Sequence, residues 1–376
     1  MSPSSRKRAS RSTFSSILVL VAILIVLIYE ALASGVVFPL QNASQIPPAE
    51  TVPVTAGEWY SLYFTHPDSS LAGLSRGGPD ESLAQAIGQA RLSVEVAAYQ
   101  FNLASIKNAL LDAQGRGVAV RLVTDSDYLD EEALQELITA GIPVLGDRRE
   151  GLMHDKFTII DRQEVWTGSM NYTDNGAYLN DNNLIRIRST RLAEDYLSEF
   201  EEMFVEDSFG PSSPANTPYA NLTLNGELLQ VYFSPEDGTA AHLVDLIGEA
   251  KQSIYFLAYS YTSDEIALAM IERAQAGVAV VGVFETSQFR SNTGTEFEHL
   301  LSAGADVRLD GNPRNMHHKV IILDEKTVVT GSYNFSASAE NRNDENTLVI
   351  HSPEIAAQFM AEFRRVFSAS QTGISP

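Results

Sequence analysis

The chain of 376 residues says the same thing twice, and that repeat constrains its fold more than any other feature. Gly57-Glu58 leading to Tyr63-Phe64 returns as Gly226-Glu227 leading to Tyr232-Phe233. Leu92-Ser93 through Ala98-Tyr99 returns as Gln252-Ser253 through Ala258-Tyr259, and Arg116-Gly117-Val118-Ala119-Val120 as Ala276-Gly277-Val278-Ala279-Val280. The offset moves from 169 to 160 to 163 residues, so small insertions separate the copies while their order never changes. A repeat this long means two similar domains rather than a short-period solenoid, and the length allows each to bury its own core.

Within each copy, β-rich runs such as Ser93–Tyr99, Val118–Thr124 and Lys156–Ile160 alternate with helical stretches such as Ala104–Gln114 and Glu131–Ala140, the latter stopped by Gly141. This alternation predicts an α/β fold with mostly parallel sheets flanked by helices. Each copy closes on an amphipathic helix, Leu192–Phe204 and Glu354–Phe367, whose Phe200/Phe204 and Phe363/Phe367 pairs read as core packing. Gly210-Pro211-Ser212-Ser213-Pro214 marks the boundary. The expected division is 57–208 for the first repeat and 225–370 for the second, with 41–56 and 209–224 as linkers.

Residues 1–40 read as a membrane anchor or signal peptide. Arg6, Lys7, Arg8 and Arg11 precede the apolar run Ile17 to Tyr29, and Ala31-Leu32-Ala33-Ser34 follows Glu30. Counted from Phe14 to Leu40, the stretch is long enough to remain as a single span, and the basic flank places the rest of the chain outside the cytoplasm, anchored or secreted. The formal net charge is −22, and removing the four positive charges of the first 29 residues leaves −26. Such a surface argues against tight, non-specific binding of a polyanion, though not against a locally positive cleft. The absence of cysteine removes disulfides, thiolate metal sites and a cysteine nucleophile.

One motif lies inside the repeat. HDKFTIIDRQEVWTGSMN carries His154, Lys156, Asp161, Gly168, Ser169 and Asn171, and HHKVIILDEKTVVTGSYN carries His317, Lys319, Asp324, Gly331, Ser332 and Asn334, each displaced by 163 residues. Strand alternation sets each His and Lys on one face. A neighbouring ammonium favours the neutral, nucleophilic imidazole and attracts an anionic phosphate. Gly-Ser-x-Asn adds hydroxyl and amide donors after a turn where the backbone approaches closely. Asp161 and Asp324 are expected at strand ends, anchoring loops.

The doubled pattern resembles the HKD motifs of the phospholipase D superfamily, and the repeat covers nearly the whole chain beyond the first linker. The resemblance implies two similar phospholipase D-like repeats packed with pseudo-two-fold symmetry and both motifs meeting at one cleft, so that a monomer holds a complete active site. It implies a phosphodiesterase that needs no metal or other cofactor and works through a phosphohistidine. His154 then looks like the nucleophile and His317 like the acid, an order that could be reversed, with Lys156, Lys319, Asn171 and Asn334 on the phosphate oxygens. Ser169 and Ser332 are weaker phosphate or loop contacts, and Asp161 and Asp324 complete the two motifs. Relatives often carry an acidic residue that orients the histidine of the opposite half; Glu345 in NDEN fits that position, whereas the first copy has Asn182 in NDNN.

The expected substrate is a phospholipid head-group ester. A nucleic-acid phosphodiester cut by an endonuclease, phosphatidyl transfer to another alcohol, and a non-catalytic module that only holds an anionic ligand remain alternatives. Tyr99 and Tyr259, at the ends of matching strands, read as core residues rather than substrate contacts. His318 points to the opposite strand face from His317 and reads as packing, while His66, His242, His299 and His351 lack metal-ligand spacing. Thr286–Thr295, where the second copy holds extra residues, is the candidate for substrate selectivity.

Overall fold

Each half of the chain builds one eight-stranded sheet. The computed structural model of the protein describes residues 55–56 and 59–371; the expected anchor and most of the first linker lie outside them. Among the described residues no helix is long and apolar enough to cross a membrane. The first half supplies β1 (Thr55–Ala56), β2 (Tyr60–Phe64), β3 (Ser93–Ala98), β4 (Ala119–Thr124), β5 (Val144–Gly146), β6 (Lys156–Ile160), β7 (Glu164–Gly168) and β8 (Asn183–Arg188). They run in the order β1-β2-β8-β7-β6-β3-β4-β5. The second half supplies β9 (Asn221–Leu224), β10 (Glu227–Ser234), β11 (Ser253–Ala258), β12 (Ala279–Phe284), β13 (Asp306–Leu309), β14 (Lys319–Leu323), β15 (Thr327–Gly331) and β16 (Glu345–His351). Their order, β13-β12-β11-β14-β15-β16-β10-β9, is the same plan.

The fold is α/β with two similar halves, but its sheets are mixed rather than mostly parallel. Only β3-β4-β5 and β11-β12-β13, joined through crossover helices, pair in parallel. The reversal comes from the motif. After β6, Asp161 and Arg162 sit at φ 53° and 55°, and after β14, Asp324 and Glu325 at 51° and 53°. Left-handed backbone here folds the chain straight back into β7 and β15, so β6 and β14 lie antiparallel to both neighbours. A run such as KVIIL, buried along its whole length, looks the same from sequence in either direction.

Three apolar cores hold the molecule together. One outer core packs helices Pro79–Gln89, Ala104–Gly115 and Glu132–Thr139 on the first sheet; another packs Thr239–Glu249, Asp264–Gln275 and Phe297–Ser302 on the second. The third is shared: Leu62, Phe157 and Ile185 from the first sheet meet Val231, Ile322 and Leu348 from the second, with Phe200 and Phe363 of the two closing helices, Thr190–Phe204 and Pro353–Ala369. Separate domain cores are therefore only part of the arrangement, and the described residues of both halves belong to one compact unit. Within 209–224, read as a linker, Phe209 and Leu222 are buried in the shared core and Asn221–Leu224 is the edge strand β9.

Candidate active site

Backbone pairing across the repeats brings the two motifs together. The N–H of His154 donates to the Asp344 carbonyl at 3.0 Å, and that of Asp344 to Leu152 at 2.9 Å. Reciprocally, His317 N–H donates to Asp181 and Asp181 N–H to Asn315, each at 2.9 Å. The parallel bridges Met153–Asp344 and Asp181–Met316 exchange under the 163-residue offset, as a pseudo-two-fold axis requires. Each histidine is thus held against the segment leading into the last strand of the opposite sheet.

That segment also supplies the histidine's side-chain partner. His154 Nδ1 donates to Glu345 Oε2 at 2.7 Å, and Asn343 supports the other carboxylate oxygen at 3.3 Å. His317 Nδ1 donates to Asn182 Oδ1 and to the Ser169 carbonyl, both at 3.0 Å. Asn182 is oriented unambiguously, because its Nδ2 donates to the Gly176 carbonyl at 2.9 Å. Nδ1 is therefore held by the opposite half in both rings; Nε2 of His154 is left for the cleft, and Nε2 of His317 has Lys319 Nζ beside it at 3.3 Å.

The lysines lie beneath the imidazoles. Lys156 Nζ donates to the His154 carbonyl at 2.5 Å and Lys319 Nζ to the His317 carbonyl at 3.0 Å, each 1 % exposed. Burial, then the ammoniums of both lysines, holds each imidazole well below its usual pKa. Burial also pulls Lys156 down to about 7 and Lys319 well below the lysine range. Glu345 is pushed up to about 8 by burial, with Lys156 pulling the other way. An entering phosphate anion relieves the crowding of positive charge and draws protons onto the lysines and a histidine.

A cleft of about 500 Å³ opens over these groups, lined by both histidines, Asn171, Asn334, Tyr99 and Tyr259. Asn171 Oδ1 and Asn334 Oδ1 are buried without partners, so both amides can turn toward a ligand. The tyrosines are not core residues as expected: Tyr99 stands edge-on to His154 at 4.8 Å and Tyr259 to His317 at 4.5 Å between ring centres. Their rings also receive Lys156 and Lys319 Nζ at 5.0 and 4.6 Å. The recurrence of Tyr at equal places in both copies was the available signal. The insertion packs on one of these walls, with Gln288 Nε2 donating to Tyr259 Oη at 3.3 Å.

Other expected site residues fall elsewhere. Ser169 and Ser332 are fully buried behind the cleft; Ser169 Oγ donates to Asn182 Oδ1 at 2.8 Å, and Ser332 Oγ accepts from Asn346 N–H at 3.0 Å. They position the orienting residues and touch no ligand space. Gly168 and Gly331, at φ 152° and 148°, lie so close to the Asn183 and Asn346 carbonyls that a Cβ would meet them at 2.4 and 2.2 Å. Asp161 and Asp324 stand at strand ends as expected, at the far ends of β6 and β14 and about 16 Å along a five-residue strand, so they do not join the histidines and lysines with which the motif groups them. Asp161 accepts the N–H groups of Arg91, Leu92 and Ser93 at 2.6–3.1 Å, and Asp324 those of Lys251, Gln252 and Ser253 at 2.6–3.1 Å. They tie the hairpin turn to the start of β3 or β11 and do not line the cleft. A second cleft of about 530 Å³ beside Asp161 contains Arg186 and Arg188, but Glu164 already pairs with both. His318 is buried on the opposite face from His317, as expected, bonded to Asn183 and Glu362 at 3.0 Å.

Comparison with known proteins finds matches to both repeats. The family model "Cardiolipin synthase, PLD-like domain" matches residues 83–204 and 243–367, one segment in each repeat. A phospholipase D of Rickettsia bellii is 33 % identical over 148 residues, 39 % of this chain and 73 % of its own. The mitochondrial cardiolipin hydrolase of Xenopus tropicalis is 34 % identical over 127 residues, 33 % of this chain and 60 % of its own. The crystal structure of phosphatidylserine synthase from Haemophilus influenzae superposes over 83 % of this chain and 87 % of its own, with a TM-score of 0.62 at 14 % identity, a likeness of fold.

Proposed function

Because the chain belongs to the phospholipase D-like domain family, and is accordingly a phosphodiesterase, we propose that it hydrolyses phospholipid head-group esters through a phosphohistidine on His154. The observation that carries this reading is the asymmetry of the two histidines, a carboxylate behind His154 and an amide behind His317. Glu345 compensates positive charge as the His154 ring becomes quaternised at phosphorus; Asn182 orients His317 but leaves its proton free to move.

In the first step His154 Nε2 forms a bond to phosphorus while the bond to the leaving alcohol breaks. His317, protonated once the phosphate anion occupies the cleft, gives its Nε2 proton to the departing oxygen. Lys156, Lys319, Asn171 and Asn334 hold the non-bridging oxygens as charge moves onto them. Water then attacks phosphorus, His317 takes its proton, and the N–P bond breaks to release the phosphomonoester. No step requires a metal ion.

The phospholipid assignment is supported by the Rickettsia relative named a phospholipase D and by the acidic exterior, which disfavours polyanions. We place the enzyme outside the cytoplasm, tethered or released by its N-terminal segment, and assign selectivity to Thr286–Thr295, which packs on Tyr259. The test is rapid quench with phosphorus-labelled substrate. Label on His154, absent in His154→Ala, is expected; label on His317 overturns the roles. Phosphatidylcholine, cardiolipin and single-stranded DNA are offered side by side, and turnover of DNA alone overturns the lipid assignment. Replacing Thr286–Thr295 without any change in preference removes it as the selectivity element. Recovery in the cytoplasm refutes the proposed location.

A further inference from the structure

The two repeats treat one buried carboxylate in opposite ways. In the second, Glu362 on the closing helix accepts from Arg365 Nε at 2.8 Å and from His318 Nε2 at 3.0 Å. Burial by itself would raise its pKa, but these partners hold it at about 2. Subtracting the offset of 163 puts Glu199 in the place of Glu362, Glu202 in that of Arg365 and Asp155 in that of His318. Each basic partner in the second repeat, Arg365 and His318, has a carboxylate as its counterpart in the first.

A third glutamate completes the group. Glu236, in the turn after β10, joins Glu199 and Glu202, and one carboxylate oxygen of each lies within 4.8 Å of the others. Glu199 and Glu202 are 3 % and 2 % exposed. Glu199 Oε1, Glu202 Oε1 and Glu236 Oε2 are withdrawn from solvent and have no hydrogen-bond donor while all three carboxyls are ionised; Glu199 and Glu236 can otherwise only share a proton between them. Of the remaining oxygens, Glu202 Oε2 takes Asn216 Nδ2 at 3.2 Å. The Ser213 hydroxyl lies beside Glu202, itself buried and without a well-formed hydrogen bond. Unpartnered buried carboxylate oxygens cost several kcal/mol unless a cation or proton meets them.

We propose that Glu199, Glu202 and Glu236 bind a divalent calcium-type cation that fastens the closing helix of the first repeat to the turn opening the helical part of the second. The donors are all oxygens, which selects a hard ion. Carboxylates that bind through one or both oxygens, a neighbouring hydroxyl and water admitted beside half-buried Glu236 suit the six to eight ligands and adaptable geometry of Ca²⁺ better than the strict octahedron of Mg²⁺. Without the ion, burial raises all three carboxyls, Glu202 to about 7 and Glu236 to about 8, so binding displaces protons.

The test uses the full chain stripped with a chelator and dialysed against radioactive Ca²⁺, with no catalytic readout. One ion per chain, proton release that scales with buffer ionisation heat, and a Tm raised by about 5 °C at a hundred times Kd are expected. Glu236→Gln, at the half-buried edge, lowers affinity at least tenfold, and Glu199→Gln with Glu236→Gln removes binding while leaving the metal-free Tm unchanged or higher. A parent protein that binds no Ca²⁺ overturns the proposal whatever the variants do, as does Ca²⁺ binding of undiminished affinity in Glu236→Gln.

Discussion

Glu345 and Asn182 occupy equivalent places and give two chemically similar histidines different support. Glu345→Gln keeps a hydrogen bond but removes the compensating charge, so kcat falls about 10²-fold or more with KM little changed, in steady-state assays on the preferred lipid. Asp161→Asn tests the opposite claim. The amide keeps one acceptor oxygen but turns an NH2 donor toward the Arg91 N–H and removes the charge that three backbone N–H groups share, which costs about 1–2 kcal/mol in denaturant unfolding while kcat stays at the parent value. A loss of kcat at unchanged stability would return Asp161 to the site. At this scale the histidines, lysines and asparagines were legible because the motif repeats them at constant spacing, and Glu345 because the resemblance implies an acidic residue there. Tyr99 and Tyr259 were misread because an aromatic residue at a strand end looks the same whether the next layer is core or cleft. The serines and aspartates share the motif's spacing but bind backbone and orienting side chains, a distinction carried only by coordinates.

Among the elements, the closing helix Pro353–Ala369 does more than pack. Arg365 bridges Glu362, which holds His318, and Asp181, whose backbone holds His317. Arg365→Met leaves two nearly buried carboxylates without their shared guanidinium, Glu362 with His318 alone and Asp181 with Asn312; a loss of about 3 kcal/mol is expected, together with reduced kcat because the Asp181 segment is loosened. Unchanged Tm and kcat would show that the pair is dispensable. The pH dependence of this element follows from the depressed pKa of Glu362. Its contribution is present above the ordinary carboxyl range and is lost as pH falls toward about 2. The amphipathic period of the helix was plain in the sequence; its ion pairs join residues 184 positions apart and were not.

For the whole molecule, the acidic groups around the shared core set the response to pH. Burial raises Asp344, Glu345 and Glu236 to about 8 and Asp155 and Glu202 to about 7. A carboxyl raised on folding contributes stability below its unfolded pKa and loses it as pH rises through the folded value. The depressed lysines and histidines of the site act in the opposite sense but are fewer. In chelator the Tm is therefore higher at pH 5.5 than at pH 8.5, measured by calorimetry; the reverse order would count against this set of buried carboxyls. The sequence by itself determined that there are two equivalent α/β halves and that both carry the same phosphate chemistry, because repetition and strand alternation are local properties read along one chain. Tertiary structure decided the strand directions, the third core and the unequal partners of His154 and His317. Those depend on which surfaces of the two halves meet, and residues 191 positions apart, such as His154 and Glu345, acquire a shared proton only when they do.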